Sequence, residues 1–123
     1  MTEERLFSIA DADAELEELR ARLPSLREAR QRLIETGERI TSAVQIDGGG
    51  IEGSDWFRAQ EKLKRELLWL ADRGILLRDP DTGLVDFPAE RDGERVFLCW
   101  RLGEERVGWY HSERSGFSSR KPL

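Results

Sequence analysis

The feature that most constrains this chain is a change of apolar repeat at Gly74. Before it, apolar residues recur every three or four positions, as on a helix face. After it they recur every two, as on a strand with one face buried. A chain built this way is expected to be α+β: a long antiparallel helical hairpin followed by a small antiparallel meander of three or four strands.

In the first helix the apolar steps are Leu16, Leu19, Leu23, Leu26, Leu33, Ile40 and Val44. Alternating threes and fours mark the seam of a paired helix, and Arg30 and Gly37 hold the two positions that break it. Ser8 precedes Ile9 and stands three residues before Asp11. A hydroxyl there can accept a free first-turn amide while the carboxylate favours the positive helix end, so the helix is expected to start near residue 9. Pro24 lies inside the run, and Ser25 with Glu28 repeats the capping pattern, which would break the helix there; because the seam keeps phase across Pro24, a kinked but nearly continuous helix is the expectation.

Asp47–Gly53 contains four glycines and no helical period, and is read as the hairpin loop. The second helix is expected from Ser54 or Asp55, with a seam of Trp56, Gln60, Leu63, Leu67 and Leu70 widened by Leu68 and Ala71. Trp69 has charged neighbours and falls off this seam, so either the sheet covers it or a partner does. Gly74 followed by Ile75 ends the helix, because glycine takes the left-handed conformation and the apolar residue folds back.

Strand-like runs follow at Ile75–Arg78, Leu84–Phe87, Arg95–Leu102 and Arg106–His111. They are separated by the turn-forming stretches Asp79–Gly83, Arg91–Gly93 and Gly103–Glu104. Connections this short join neighbouring antiparallel strands. One domain over residues 1–123 is expected, with the hairpin at 9–74, the meander at 75–112 and a C-terminal tail at 113–123.

If Gly103–Glu104 is a two-residue hairpin turn, residues whose numbers sum to 207 face each other: Trp100 with Val107, Leu98 with Trp109, Val96 with His111. That register puts Cys99 and the single histidine on opposite faces, which disfavours a cysteine–histidine nucleophile within one chain. His111 and Glu113 are two apart and share a face, so they are the metal candidates, with Glu94 across from Glu113. Asp86, Arg101, His111 and Glu113 together are the candidate ligand-binding residues. The arginines at 101, 106, 114 and 120 are expected to make surface ion pairs with the seven acidic residues after position 83. Both faces of the sheet carry aromatic groups. The helices cover one, leaving a partner chain or the tail for the other.

Charge narrows the function further. The net charge is −5, with 7 basic and 11 acidic residues in 1–47, 6 and 7 in 48–83, and 7 and 7 in 84–123. No region has the basic excess that phosphate-backbone binding needs, so nucleic acid is an unlikely partner. No stretch approaches the ~20 apolar residues of a membrane span, and one cysteine forms no internal disulfide, so a cytoplasmic protein is expected.

Phe7-Ser8-Ile9, Gly83-Leu84-Val85-Asp86-Phe87-Pro88, Leu98-Cys99-Trp100-Arg101-Leu102-Gly103-Glu104, Trp109-Tyr110-His111 and Gly116-Phe117 resemble the bacterial family known as domain of unknown function 2203. The resemblance covers nearly the whole chain, and its C-terminal motifs are the specific ones. Ser119 stands where the family's usual tail has glycine. The resemblance implies a bacterial, cytosolic protein and brings no catalytic residue or cofactor with it; the cofactor is left unknown, with none as the alternative. Two functions stay open: an interaction module that pairs with a second copy or another protein, or a small-ligand or metal-binding protein around His111 and Glu113, with an enzyme the less favoured alternative.

Overall fold

In the computed structural model, residues 4–46 and 52–123 are described. A one-turn helix α1 (Ile9–Asp13) is followed by α2 (Leu16–Ile46) and α3 (Glu52–Arg73). The strands are β1 (Leu76–Asp79), β2 (Leu84–Arg91), β3 (Glu94–Arg101), β4 (Trp109–Ser112) and β5 (Lys121–Pro122), with a 3₁₀ turn at Phe117–Ser119. All five form one antiparallel sheet in chain order, so the meander has one strand more than expected.

The start of α1 follows from the Ser8 cap. The Ser8 hydroxyl accepts from the Asp11 amide at 3.0 Å, and the Asp11 carboxylate accepts from the Ser8 amide at 3.1 Å. The Ser8 amide, with the Ser8 side chain beside it, holds the Asp11 carboxyl below its ordinary range. The first helix breaks at Ala14–Glu15, whereas α2 runs unbroken through Pro24. The buried seam leucines Leu16, Leu19, Leu23 and Leu26 run across the proline, and their packing outweighs the one backbone bond it forgoes.

Helices α2 and α3 meet through Arg22 with Glu66 at 3.2 Å and Gly37 against Trp56, and Glu15, just before α2, pairs with Arg73 at 3.1 Å. Contacts climb one helix as they descend the other, so the two lie antiparallel. The expected loop at Asp47–Gly53 lies outside the described residues as far as Ile51, and Glu52 and Gly53 already belong to α3. The inward stripe of α3 also differs from expectation. It reads Trp56, Ala59, Leu63, Glu66 and Leu70, while Leu67 and Leu68 are exposed. Glu66 belongs to it because Arg22 reaches across to pair with it. Trp69 is half-buried against the core, with the Arg22 and Arg73 guanidinium groups 4.6 and 4.7 Å from its ring.

Gly74 ends α3 at φ +76°, and the buried Ile75 amide returns to the Leu70 carbonyl at 3.0 Å. The helices then cover one face of the sheet, where Val85, Phe87, Ala89, Val96, Leu98 and Trp100 bury against Leu16, Leu19, Leu23, Leu26 and Leu70. Each fully buried large side chain there contributes about 1.5–3 kcal/mol by leaving water. Among the described residues no helix is long and apolar enough to cross a membrane.

Candidate functional site

The site depends on strand register. The β2–β3 turn is the two-residue type that twists with its strands: Asp92 and Gly93 lie at φ 54° and 79°, flanked by the pair Arg91–Glu94. This sets Asp86 beside Cys99. The β3–β4 connection is not the expected turn at Gly103–Glu104. It spans residues 102–108, and the pairs are Val96–Ser112, Phe97–His111, Leu98–Tyr110 and Cys99–Trp109. Their numbers sum to 208, a shift of one residue, and a one-residue shift moves every β4 side chain to the other face. Cys99 and His111 therefore share the face turned away from the helices, contrary to the sequence reading.

The causes of the longer connection are local. The Val107 amide donates to the Asp13 carboxylate at 2.8 Å, and its side chain is buried among the helices. The Glu105 carbonyl accepts from Arg20 at 2.7 Å, and the Glu104 carbonyl accepts from the Trp100 indole at 3.0 Å. Residues 104–107 thus bond to the helices and to Trp100 where a tight hairpin would have them continue the ladder.

On the outer face Asp86, Cys99 and His111 converge, with exposures of 2%, 0% and 5%. One donor atom of each lies within 4.8 Å of the others. Asp86 Oδ2 accepts from His111 Nε2 at 2.9 Å and from Arg78 Nε at 2.8 Å. Asp86 Oδ1 is buried with no hydrogen-bond partner among the described residues. His111 Nδ1 lies 2.9 Å from the Ser112 carbonyl. A carbonyl only accepts, so Nδ1 carries a proton, and the Nε2–Oδ2 contact needs one more. The Phe97 ring lies 5.4 Å from the imidazole and buttresses it.

Burial, with the Asp86 carboxylate beside it, pushes the Cys99 thiol up to about 11. At neutral pH the sulfur is a protonated thiol, and both imidazole nitrogens are already engaged with oxygens. No ring nitrogen is positioned to take the thiol proton, so a cysteine–histidine nucleophile is disfavoured here for a reason unlike the one read from sequence.

The C-terminal segment supplies the cover for this face. Arg120 grips Glu104 with two bonds of 3.1 and 2.7 Å and lies 4.5 Å from the Trp109 ring and 4.3 Å from that of Phe117. Burial would raise the Glu104 carboxyl, but Arg120 and the Arg101 amide outweigh it and hold the group below its ordinary range. The Leu123 amide closes the edge on the Gly108 carbonyl at 2.9 Å. Between this segment and the sheet is a cleft of about 340 Å³, lined by Arg78, Asp86, Phe97, His111, Glu113 and Phe117 among others.

The candidate residues from sequence thus separate. Asp86 and His111 meet in one hydrogen bond. Glu113 lines the same cleft but pairs with Arg95, which also holds Glu4. Glu94 faces Arg91, not Glu113. Arg101 is exposed and lies 5.2 Å from the Phe117 ring, outside the cluster. Sequence reasoning missed Arg78 altogether and set Cys99 aside. The available signal was Gly108, a second break that leaves Val107 as an isolated apolar residue in the connection.

The family model for an uncharacterised conserved protein, DUF2203, matches residues 5–123. The chain belongs to that family. No curated protein and no solved structure matches it. Membership covers the helices, the sheet and the covering segment together, so all three elements around the cleft belong to the family domain.

Proposed function

We propose that this chain is a small binding protein whose ligand enters the outer-face cleft and contacts Asp86 and His111. The observation that carries this reading is Asp86 Oδ1, a buried carboxylate oxygen without a partner among the described residues, beside an open cleft. Leaving a charged acceptor unsatisfied costs about 1–3 kcal/mol or more, and a bound donor or cation recovers that loss. The occupant is therefore a small cation or a molecule bearing N–H donors. Phe97 and Phe117 supply apolar walls for whatever the charged end carries.

Backbone NMR spectra recorded with ethylammonium, guanidinium and divalent cations test the reading. Shifts concentrated at the amides of Phe97, His111 and Phe117, and weakened at least roughly tenfold by Asp86→Asn, are expected. Spectra in which none of these probes moves those amides would remove the proposal. A second reading, the interaction module, has support in Phe57 and Leu68, which are 64% and 52% exposed and three helical turns apart on one stripe of α3. Sedimentation of the wild type against Phe57→Ser decides it: a monomer in both cases defeats a homodimer.

A further inference from the structure

Resting on that reading of the cleft, we infer that its occupant is a divalent transition-metal ion of the zinc type, ligated by Asp86 Oδ1, Cys99 Sγ and His111 Nε2. A carboxylate oxygen, a sulfur and an imidazole nitrogen are a donor set that zinc favours over the harder magnesium and calcium. Three protein donors leave a fourth position, and Asp86 and His111 both border the cleft, so that position opens toward it. The arrangement is that of a site able to hold a water or a small ligand on the metal.

The surroundings fit the same reading. A metal-bound histidine ordinarily donates its other ring N–H to a carboxylate or a backbone carbonyl, which fixes the ring. His111 Nδ1 is already placed on the Ser112 carbonyl at 2.9 Å. The second oxygen of a ligating carboxylate is likewise commonly held, and Arg78 holds Asp86 Oδ2. Oδ1, the oxygen left over, is the one this assignment uses. One donor atom from each of the three residues lies within 4.8 Å of the others. Tetrahedral zinc with bonds of ~2.0–2.3 Å spaces its donors by roughly 3.3–3.6 Å, so an inward movement of about 1 Å completes the site. Rotation of the Asp86 carboxylate and the Cys99 side chain supplies movements of that size. The ion replaces the proton between His111 and Asp86 and the proton on the sulfur. Two anionic donors then balance its two positive charges, which makes burial of the ion tolerable.

Glu113, the metal candidate from sequence, is not a ligand in this assignment, because its carboxylate pairs with Arg95. That separates the two versions of the site experimentally. Protein made without a histidine tag and stripped with a chelator is titrated with zinc by calorimetry and with cobalt by absorption spectroscopy. The expected result is one ion per chain and a sulfur-to-cobalt charge-transfer band in the near ultraviolet. Cys99→Ala should abolish the band and weaken zinc at least roughly tenfold, His111→Ala should weaken it similarly, and Glu113→Gln should change neither. Wild-type protein that takes up no stoichiometric zinc or cobalt overturns the inference, as does binding that survives Cys99→Ala unchanged. The wild-type cobalt spectrum decides the matter even if a variant fails to fold. Should the metal fail while ethylammonium or guanidinium still moves the cleft amides, only the metal assignment falls. Should those organic probes fail as well, the cleft reading falls with it.

Discussion

The two faces of the sheet are made from alternate residues of the same strands, yet they obey different rules. The inner face presents Val85, Phe87, Ala89, Val96, Leu98 and Trp100 to the helices, all apolar and all buried. The outer face presents Asp86, Cys99 and His111 at comparable burial, beside Phe97. The inner face meets leucines, so its side chains leave water without losing a hydrogen bond. The outer face withdraws ionisable groups from water and leaves one carboxylate oxygen unsatisfied. Packing alone explains the first set and not the second, which is why the functional reading rests there.

The largest expected effect lies on the inner side. Trp100 is fully buried and its indole donates to the Glu104 carbonyl, so Trp100→Ala should destabilise the protein by about 3–5 kcal/mol in urea denaturation. A loss under ~1 kcal/mol would erase the contrast between the faces.

A smaller effect sharpens it. In metal-free protein His111→Ala should cost about 1–3 kcal/mol, because Asp86 then keeps only Arg78. Replacing both Asp86 and His111 by valine should cost less than the two single losses together, since no charge is left buried without its partner. Strict additivity in this cycle would mean that the pair contributes nothing as a unit.

The smallest effect is a matter of pH. Cys99 has its folded-state pKa raised from an ordinary 9.0 to about 11. Stability from the buried thiol is therefore complete below pH 9 and declines as pH rises toward 11, where the unfolded chain ionises first. The decline should be of order 1–2 kcal/mol for wild type relative to Cys99→Ala, measured as urea midpoints from pH 8 to 11. Parallel curves for the two proteins would show that burial and the Asp86 carboxylate do not keep the thiol protonated.

Much of this fold was legible in local chemistry. The Ser8–Asp11 cap, the Gly74 stop and the Asp92–Gly93 turn each follow from hydrogen bonds or backbone angles confined to a few residues. The DUF2203 resemblance was likewise carried by short C-terminal motifs. What sequence reasoning could not resolve depended on distant partners. Pro24 did not break α2, because a packed seam continues on both sides of it. Leu67 yielded its inward place to Glu66 because Arg22 stands opposite. The β3–β4 register moved by one because Asp13 and Arg20, some ninety residues away in the chain, take the polar groups of residues 105–107. Asp86 and His111 were legible as candidates from their residue types, but their meeting with Cys99 required that register.

The seven-residue connection at 102–108 therefore works as a counter whose odd or even setting chooses which chemistry the imidazole joins. Two chains with identical strands, differing by a single codon in this stretch and pairing in adjacent registers, would show opposite sides of the histidine to the solvent. One would hold a three-donor centre, and the other an oily patch with a stray ring.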